Sequence, residues 1–495
     1  MIDLSIRKDL KAQPLTPLVY HHLTRQGHDD NLVYNEENGG VGVGEGGSVA
    51  VSDVTAILAL STFAAACIAF GVGCAIGYSS PTQSSIMQDL GLSVAQFSLF
   101  GSILSIGSIL GAVIFGKTTD LLGRKPTMWI LNLFYFSGWL AIAFAKVPWL
   151  LDLGRLSLGF TNGISGYLAP VYIAEITTKN VRGRFSTVVP LMVCWGISFM
   201  YVVGSFVNWR TLALIATIPG VLQLLLLFFI PESPRWLANV GRDKELEAAL
   251  LCLRGDKADI SDEAAEIKDF VESLKSVSKE GILDIFQKKY AQPLLIVVGM
   301  FALMNLGGLN AFAYYSGVIF VSSGISSMVG LIALAAVQTV TGILGTIVID
   351  KSGRRPLLLV SSAGICFSCL LTGLSFFLKE YHWRGQGSPI LALIGLLMYM
   401  GMNVLGSGIP WLLLSELFPI TVKGSAGSLC NFVGSIIGWF VAYYFNFLIK
   451  WNSAGIFFIF SVFCCANFIL TATMVPETKG RTLEEIQASI THYSG

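Results

Sequence analysis

From residue 54 to residue 475 the chain is a succession of long apolar runs separated by short polar breaks. A helix needs about 20 apolar residues to cross the roughly 30 Å hydrocarbon layer of a membrane. By that measure the pattern predicts twelve spans, near 54–79, 94–115, 127–147, 150–173, 185–207, 210–230, 292–320, 326–349, 357–378, 389–414, 425–448 and 454–475. They fall into six, a charged gap, and six more. The expected fold is an all-α membrane protein whose twelve transmembrane helices form two six-helix bundles. The expected segments are a polar, mostly disordered stretch 1–53, an N-terminal bundle 54–230, a linker 231–290, a C-terminal bundle 291–475 and a short tail 476–495. Within the linker, Leu246, Ala249, Leu250 and Leu253 recur at helical spacing, as do Ile267, Phe270, Val271, Leu274 and Val277. They predict short amphipathic helices lying under the membrane domain. The first apolar run begins too far into the chain to be a cleaved signal peptide.

Composition agrees with the pattern. Charged residues make up 13% of the chain, against about 25% in a soluble domain. The formal net charge is +1, which lacks the basic stripe a nucleic-acid partner requires. The Gly-rich stretch 39–47 has no Gly-Lys-Ser/Thr ending and does not join a strand to a helix, so it reads as a linker and not a phosphate loop. All cysteines but Cys252 lie in apolar runs, and no disulfide framework, metal site, cofactor or catalytic group is expected. Short loops at one end hold Lys117, Arg124, Lys125, Lys179, Arg182, Arg184, Lys351, Arg354, Arg355 and Lys423; those at the other hold Lys146, Arg210, Lys379, Arg384 and Lys450. Because cytoplasmic loops carry the excess of Lys and Arg, both termini are expected in the cytoplasm.

Three charged signatures occur once in each half. Asp120-Leu-Leu-Gly-Arg-Lys125 returns as Asp350-Lys-Ser-Gly-Arg-Arg355. Pro170 and Glu175, followed by Arg182, return as Pro410 and Glu416, followed by Lys423. Pro231-Glu-Ser-Pro-Arg-Trp236 is echoed by Pro476-Glu-Thr-Lys-Gly-Arg481. The chain therefore reads as a duplicated six-helix unit. Its charges gather where two bundles would meet and part. Arg124, Glu175, Arg182, Glu232, Arg235, Arg354, Arg355, Glu416, Lys423 and Glu477 are expected to form a gate. They would pair when that side closes and separate when it opens, a few kcal/mol in all.

These motifs, together with Gly154-Arg155, Pro170-Val-Tyr-Ile-Ala-Glu175 and Pro231-Glu-Ser-Pro-Arg-Trp-Leu237, resemble the sugar porter family of the major facilitator superfamily over about 54–490. Gly77-Tyr-Ser-Ser-Pro-Thr-Gln83 and Leu92-Ser-Val-Ala-Gln96 are most similar to the plant early-responsive-to-dehydration-like monosaccharide transporters. The resemblance implies a carrier that moves one sugar per cycle by alternating access.

A carrier for a neutral polyol needs amides and aromatic faces beside helices that yield near the midplane. The seventh span, with Asn305, Gly307-Gly308, Asn310 and Tyr315, and the tenth, with Asn403, Gly406, Gly408, Pro410 and Trp411, have that character. The positions matching the family's sugar contacts are Asn305, Asn310, Tyr315, Gln338 and Trp411. Three departures stand beside them. Pro190-Leu191 replaces a Gln-Leu pair, Met304-Asn305 a Gln-Gln pair, and Gly434-Ser435 an Asn-Trp pair. Pro190 marks an altered wall of the site. Asn132, Gln223, Asn431 and Asn467 are expected to pack between helices.

Proton-coupled relatives carry an Asp after the Gly-Tyr of the first helix; here Ser79 stands there. Across the twelve spans the only acid well inside one end is Asp152, three residues before Arg155, at a spacing that suits a local pair. The expectation is a monomeric carrier in the lipid bilayer of the vacuolar or plasma membrane, moving a monosaccharide by facilitated diffusion, with no enzymatic activity. A carrier for another small metabolite, a proton symporter and a non-transporting sugar sensor stay open as alternatives.

Overall fold

The structure is a computed structural model, and it describes residues 55–178, 181–255, 258–276, 285–287, 290–380, 387–418 and 420–478. The polar N-terminal stretch and the end of the tail lie outside the described residues, as does Val277 of the linker pattern. The N-terminal half contains α1 (Ala56–Gly77), α2 (Ser79–Leu90), α3 (Val94–Leu122), α4 (Arg124–Ala143), α5 (Pro148–Ile176), α6 (Arg182–Ser186), α7 (Val188–Gly204), α8 (Trp209–Ile215) and α9 (Ile218–Leu226). The linker forms α10 (Pro234–Val240), α11 (Asp243–Arg254) and α12 (Ser261–Ser276). The C-terminal half contains α13 (Ala291–Leu306), α14 (Leu309–Ser323), α15 (Ser327–Ser352), α16 (Arg354–Glu380), α17 (Gly387–Gly406), α18 (Ile409–Leu417), α19 (Ile420–Trp451) and α20 (Ser453–Met474).

Every one of the twelve predicted spans coincides with a helix or a broken helix. Ten are long and apolar enough to cross a membrane by length and composition alone. The other two are α4 and α5, with 20 and 29 residues; Arg124, Lys125, Asp152 and Arg155 dilute their hydropathy. Each packs closely on a neighbouring helix. Gly138 and Gly154 bring α4 and α5 together, and Gly107, Gly111, Gly159 and Gly163 line the α3–α5 seam, where an added Cβ would strike the partner's backbone. Small residues let helices approach closely where lipid supplies no hydrophobic drive.

Five spans are interrupted. The sixth divides between α8 and α9 at Ala216–Thr217, just ahead of Pro219 in the first turn of α9. Gly308 sits at φ 92° between α13 and α14, a conformation that costs other residues a clash with their own Cβ. Pro410 falls in the first turn of α18, where its missing N–H is no loss. Pro190 removes a bond to the carbonyl of Ser186, and α6 and α7 are separated at Thr187. The first span is divided at Tyr78, whose hydroxyl donates to the Trp209 carbonyl at 2.8 Å.

The linker helices are amphipathic as read. Leu246, Ala249 and Leu250 of α11 are buried with Trp236, Leu237 and Val271, and Leu253 is buried with Leu58 and Met128 of the N-terminal bundle. Phe270 is instead partly exposed, and the Arg235 guanidinium lies over its ring at 5.3 Å. Thr55 Oγ1 donates to the Leu253 carbonyl at 2.6 Å, tying α11 to the start of α1.

The buried apolar clusters reveal the conformation. At the end away from the charged motifs one cluster runs through both bundles, joining Tyr78, Phe97, Phe100 and Tyr201 to Phe312, Tyr315, Phe445 and Phe457. At the charged end each bundle has its own. One holds Leu58, Met128, Leu168 and Tyr172; the other holds Met300, Leu357, Leu413 and Val422. The bundles are therefore sealed together at the far end and packed separately at the charged end.

Candidate functional site

The break at Gly307–Gly308 places Asn305 at the end of α13 and Asn310 at the start of α14. Asn305 is 9% exposed, and its Nδ2 donates to the Phe301 carbonyl at 2.9 Å. Asn310 is partly exposed and no hydrogen bond is recorded for it among the described residues. Both amides face α19. A Cβ built on Gly434 would lie 3.1 Å from Asn305 Nδ2. One built on Gly438 would lie 2.8 Å from Asn305 Oδ1 and overlap Asn310 Nδ2. Gly434 thus supplies no side chain, and Asn305 brings its own amide to that surface. Trp411 is 47% exposed, with its ring edge-to-face on Phe301 at 4.8 Å. Phe301 also touches the Gly434 position. Asn305, Asn310 and Trp411 are therefore linked through Phe301 and the glycines of α19.

Gln338 approaches from α15. It is 3% exposed, and its Oε1 has no partner. Its Nε2 reaches only the Met400 sulfur, at 3.9 Å. A buried acceptor left unpaired costs about 1–3 kcal/mol, so this carbonyl is suited to a hydroxyl from a solute or a water. The backbone carbonyl of Gln338 faces Cys194 Sγ at 3.3 Å. Pro190, exposed, lies one helical turn from Cys194 on α7. Met304 is half-buried beside Asn305.

Tyr315 is not brought together with these groups. It is fully buried at the far-end seal, stacked on Phe445 at 5.5 Å, and its hydroxyl abuts Gly101 of α3 without a hydrogen bond. Its neighbours there also join the bundles. Ser80 Oγ accepts from the Gly317 N–H at 2.9 Å, and Tyr201 donates to the Ala313 carbonyl at 2.7 Å. Asn446 of α19 donates to Ser98 Oγ at 3.0 Å, and Gln83 Nε2 lies 3.5 Å from Asn446 Oδ1. The reading along the chain missed Asn446; an amide in an otherwise apolar helix was the available signal.

Arg155 is fully buried, and the local pair with Asp152 does not form. Its Nη1 donates to the Ala75 carbonyl and its Nη2 to Ser79 Oγ, each at 2.5 Å. Phe100 and Tyr314 present their rings at 5.2 and 5.9 Å. Ala75 lies in the last turn of α1, and the chain continues into α2 through Tyr78 at φ −60°, ψ −40°. These acceptors are inside the protein, where an unpaired donor is costly, and they draw the guanidinium across to α1.

At the charged end the two halves repeat one construction. Glu232 accepts from the backbone N–H groups of Arg124 and Lys125, both at 3.0 Å, and caps α4. Glu477 accepts from those of Arg354 and Arg355, at 3.1 and 3.2 Å, and caps α16. Gly123 and Gly353 precede these helices at φ 100° and 84°, which lets each carboxylate approach the first turn. Burial raises Glu232 above the ordinary carboxylate range, while the N–H groups of Ser233, Lys125 and Arg124 oppose the shift. Arg124 grips Glu175 with two bonds of 2.8 Å, and Arg354 reaches Glu416 at 3.1 Å. Arg355 Nη2 donates to the Ala472 carbonyl at 2.7 Å. Arg182 Nε is buried without a partner, and Lys423 is half-buried in the first turn of α19. The ion pairs of Arg124 and Arg354 lie within a bundle. Pairing between bundles, expected when this end closes, is not recorded among the described residues in this conformation, where the bundles pack separately at this end.

Two six-helix halves, sealed at one end around broken helices that carry uncommitted amides, define a membrane carrier of the major facilitator fold. Solved structures share this architecture: the inward open conformation of the xylose transporter XylE from E. coli is 21% identical, with a TM-score of 0.71 over 88% of this chain and 99% of that one. Its partially occluded inward open form, 22% identical, also has a TM-score of 0.71, over 87% and 100%. The chain belongs to the sugar (and other) transporter family, whose model matches residues 52–489. It is 52% identical over 436 residues to the Arabidopsis thaliana sugar transporter ERD6-like 15, covering 87% of this chain and 91% of the relative. It is 47% identical to the sugar transporter ESL1 of the same plant, covering 89% and 94%. Members of this family move solutes and are not enzymes.

Proposed function

We propose that this protein carries a monosaccharide across a membrane by alternating access, without coupling to protons. The observation that carries the reading is the set of neutral polar groups left uncommitted on either side of the helix breaks. These are the Asn310 amide, the buried Oε1 of Gln338 and the half-exposed Trp411. Amides match hydroxyls, and an indole face covers the C–H surface of a sugar. Arg155, the buried cation nearest the seal, is already occupied by Ala75 and Ser79. Absence of a carboxylate from its partners favours equilibration over proton symport.

On this reading the charged end faces the cytoplasm, both termini lie there, and the structure is closed to the outside. The carrier works as a monomer in the vacuolar or plasma membrane. Arg124, Glu175, Arg182, Glu232, Arg235, Arg354, Arg355, Glu416, Lys423 and Glu477 hold the cytoplasmic ends of the helices while the bundles rock. Tyr315 contributes to closure above the solute. A carrier for another small metabolite is the second reading, favoured by Gly434 and Pro190, which offer no side-chain hydrogen bond.

Uptake by purified protein in liposomes tests both. D-glucose, D-xylose, D-fructose and myo-inositol are compared with and without a protonophore. Saturable monosaccharide uptake that stops at equilibrium and ignores the protonophore is expected. No saturable uptake of any of the three monosaccharides would overturn the reading.

A further inference from the structure

Asn305 and Asn310 belong to different half-helices, so helix geometry does not fix one relative to the other. We propose that Gly438 of α19 does so, as a positioning residue of the solute site; this deepens the monosaccharide reading and rests on it. Gly438 is buried, and it is the point where the backbone of α19 meets both amides. Asn305 cannot retreat, because its Nδ2 is held by the Phe301 carbonyl. Nor can α19 back away freely: seven and eight residues further on, Phe445 stacks on Tyr315 and Asn446 bonds Ser98. A methyl group at Gly438 must therefore displace Asn310, the amide with no hydrogen bond of its own. Gly434, one turn earlier, faces only the Asn305 side of the pair, at 3.1 Å from Nδ2, a tight contact that leaves Asn310 untouched.

A pair of glycines four residues apart also serves ordinary helix packing, and the test separates the two roles. Gly438→Ala, Gly434→Ala, Asn310→Ser and Gly438→Ala with Asn310→Ser are purified and placed in liposomes. For D-glucose, Gly438→Ala is expected to raise KM roughly 3- to 10-fold, the worth of one neutral hydrogen bond, with kcat changed less. Gly434→Ala, which meets Asn305 and not Asn310, should raise KM less than Gly438→Ala does, and its effect should not be absorbed by Asn310→Ser. The double variant should have the KM of Asn310→Ser alone, because the displaced amide is already gone. Without solute, Asn310→Ser should restore the melting temperature lost in Gly438→Ala. An unchanged KM in Gly438→Ala, KM effects that multiply in the double variant, or additive melting temperatures would each overturn the proposal. If Gly438→Ala does not fold, recovery of folded protein with Asn310→Ser supports the contact, and failure of both alike refutes it. If the unaltered protein carries no D-glucose, the hexose reading fails, while the solute-free melting temperatures still decide the contact.

Discussion

Nη2 of Arg155 lies 2.5 Å from Oγ of Ser79, at the point where the first span divides. A buried guanidinium costs several kcal/mol unless compensated, and here a backbone carbonyl, a hydroxyl and two aromatic faces provide the compensation without a carboxylate. Nothing in that set exchanges a proton near neutral pH. Uptake by the unaltered protein should therefore be the same with and without a pH gradient. Ser79→Asp installs a titratable partner on the same guanidinium, and its uptake should acquire a dependence on external pH. Gradient-driven accumulation by the unaltered protein would refute this and turn attention to Asp152.

The far-end seal is made of neutral groups. Asn446 and Ser98 bond at 3.0 Å across the two bundles, and all of Asn446, Ser98 and Gln83 are buried. Asn446→Ala should remove about 1–2 kcal/mol from the sealed state, shifting the balance toward far-end opening about 5- to 30-fold. Distances between spin labels at the far ends of the bundles report that balance. Ser98→Ala should act in the same direction, and the pair should fall short of additivity. A distance distribution unchanged in both variants would exclude the clasp.

The charged ends make a different prediction. Side chains of Arg124 and Glu175 are 8% and 11% exposed, and those of Arg354 and Glu416 24% each. Removing one member of the more buried pair should cost about 3–5 kcal/mol, since the other charge is left unpaired. Because the pairs lie within bundles, Arg124→Gln and Glu175→Gln should be strongly non-additive in denaturation. Glu175→Gln and Glu416→Gln, in opposite bundles, should add to within about 0.5 kcal/mol. Strong coupling between Glu175 and Glu416 would instead show the charges acting across the gate.

Much of this was legible along the chain, and the exceptions have a common cause. Hydropathy marks a span whatever its neighbours are, and Gly308 and Pro410 break their helices through their own backbone chemistry. The duplicated charges were visible because each lies at a helix end, and Glu232 and Glu477 do the same work on α4 and α16. Spacing along one helix does not say which neighbouring helix a side chain meets. Arg155 reaches α1 and not Asp152, Arg124 finds Glu175 in its own bundle, and Tyr315 serves the seal in this conformation. Gly438 was silent for the same reason, since its importance lies in what faces it.

Pro190 offers the most direct test of an altered wall. It has no N–H for the Ser186 carbonyl, α6 and α7 are separated at Thr187, and the next bond, from the Leu191 N–H to the Thr187 carbonyl, is stretched to 3.4 Å. In a membrane such a break persists where water or a neighbour satisfies the freed carbonyl. Pro190 is exposed, one turn from Cys194, whose Sγ meets the backbone carbonyl of Gln338. Pro190→Gln should restore the helical bond and add an amide to that wall. If the natural solute is a hexose, the variant should bind D-glucose several-fold tighter, about 0.5–1.5 kcal/mol for one added hydrogen bond. If the natural solute has fewer hydroxyls, the same variant should weaken its binding while gaining affinity for D-glucose. Pro190→Ala separates the two effects, because it restores the backbone bond without the amide. Equal D-glucose affinity in the unaltered protein, Pro190→Ala and Pro190→Gln would place this residue outside the site.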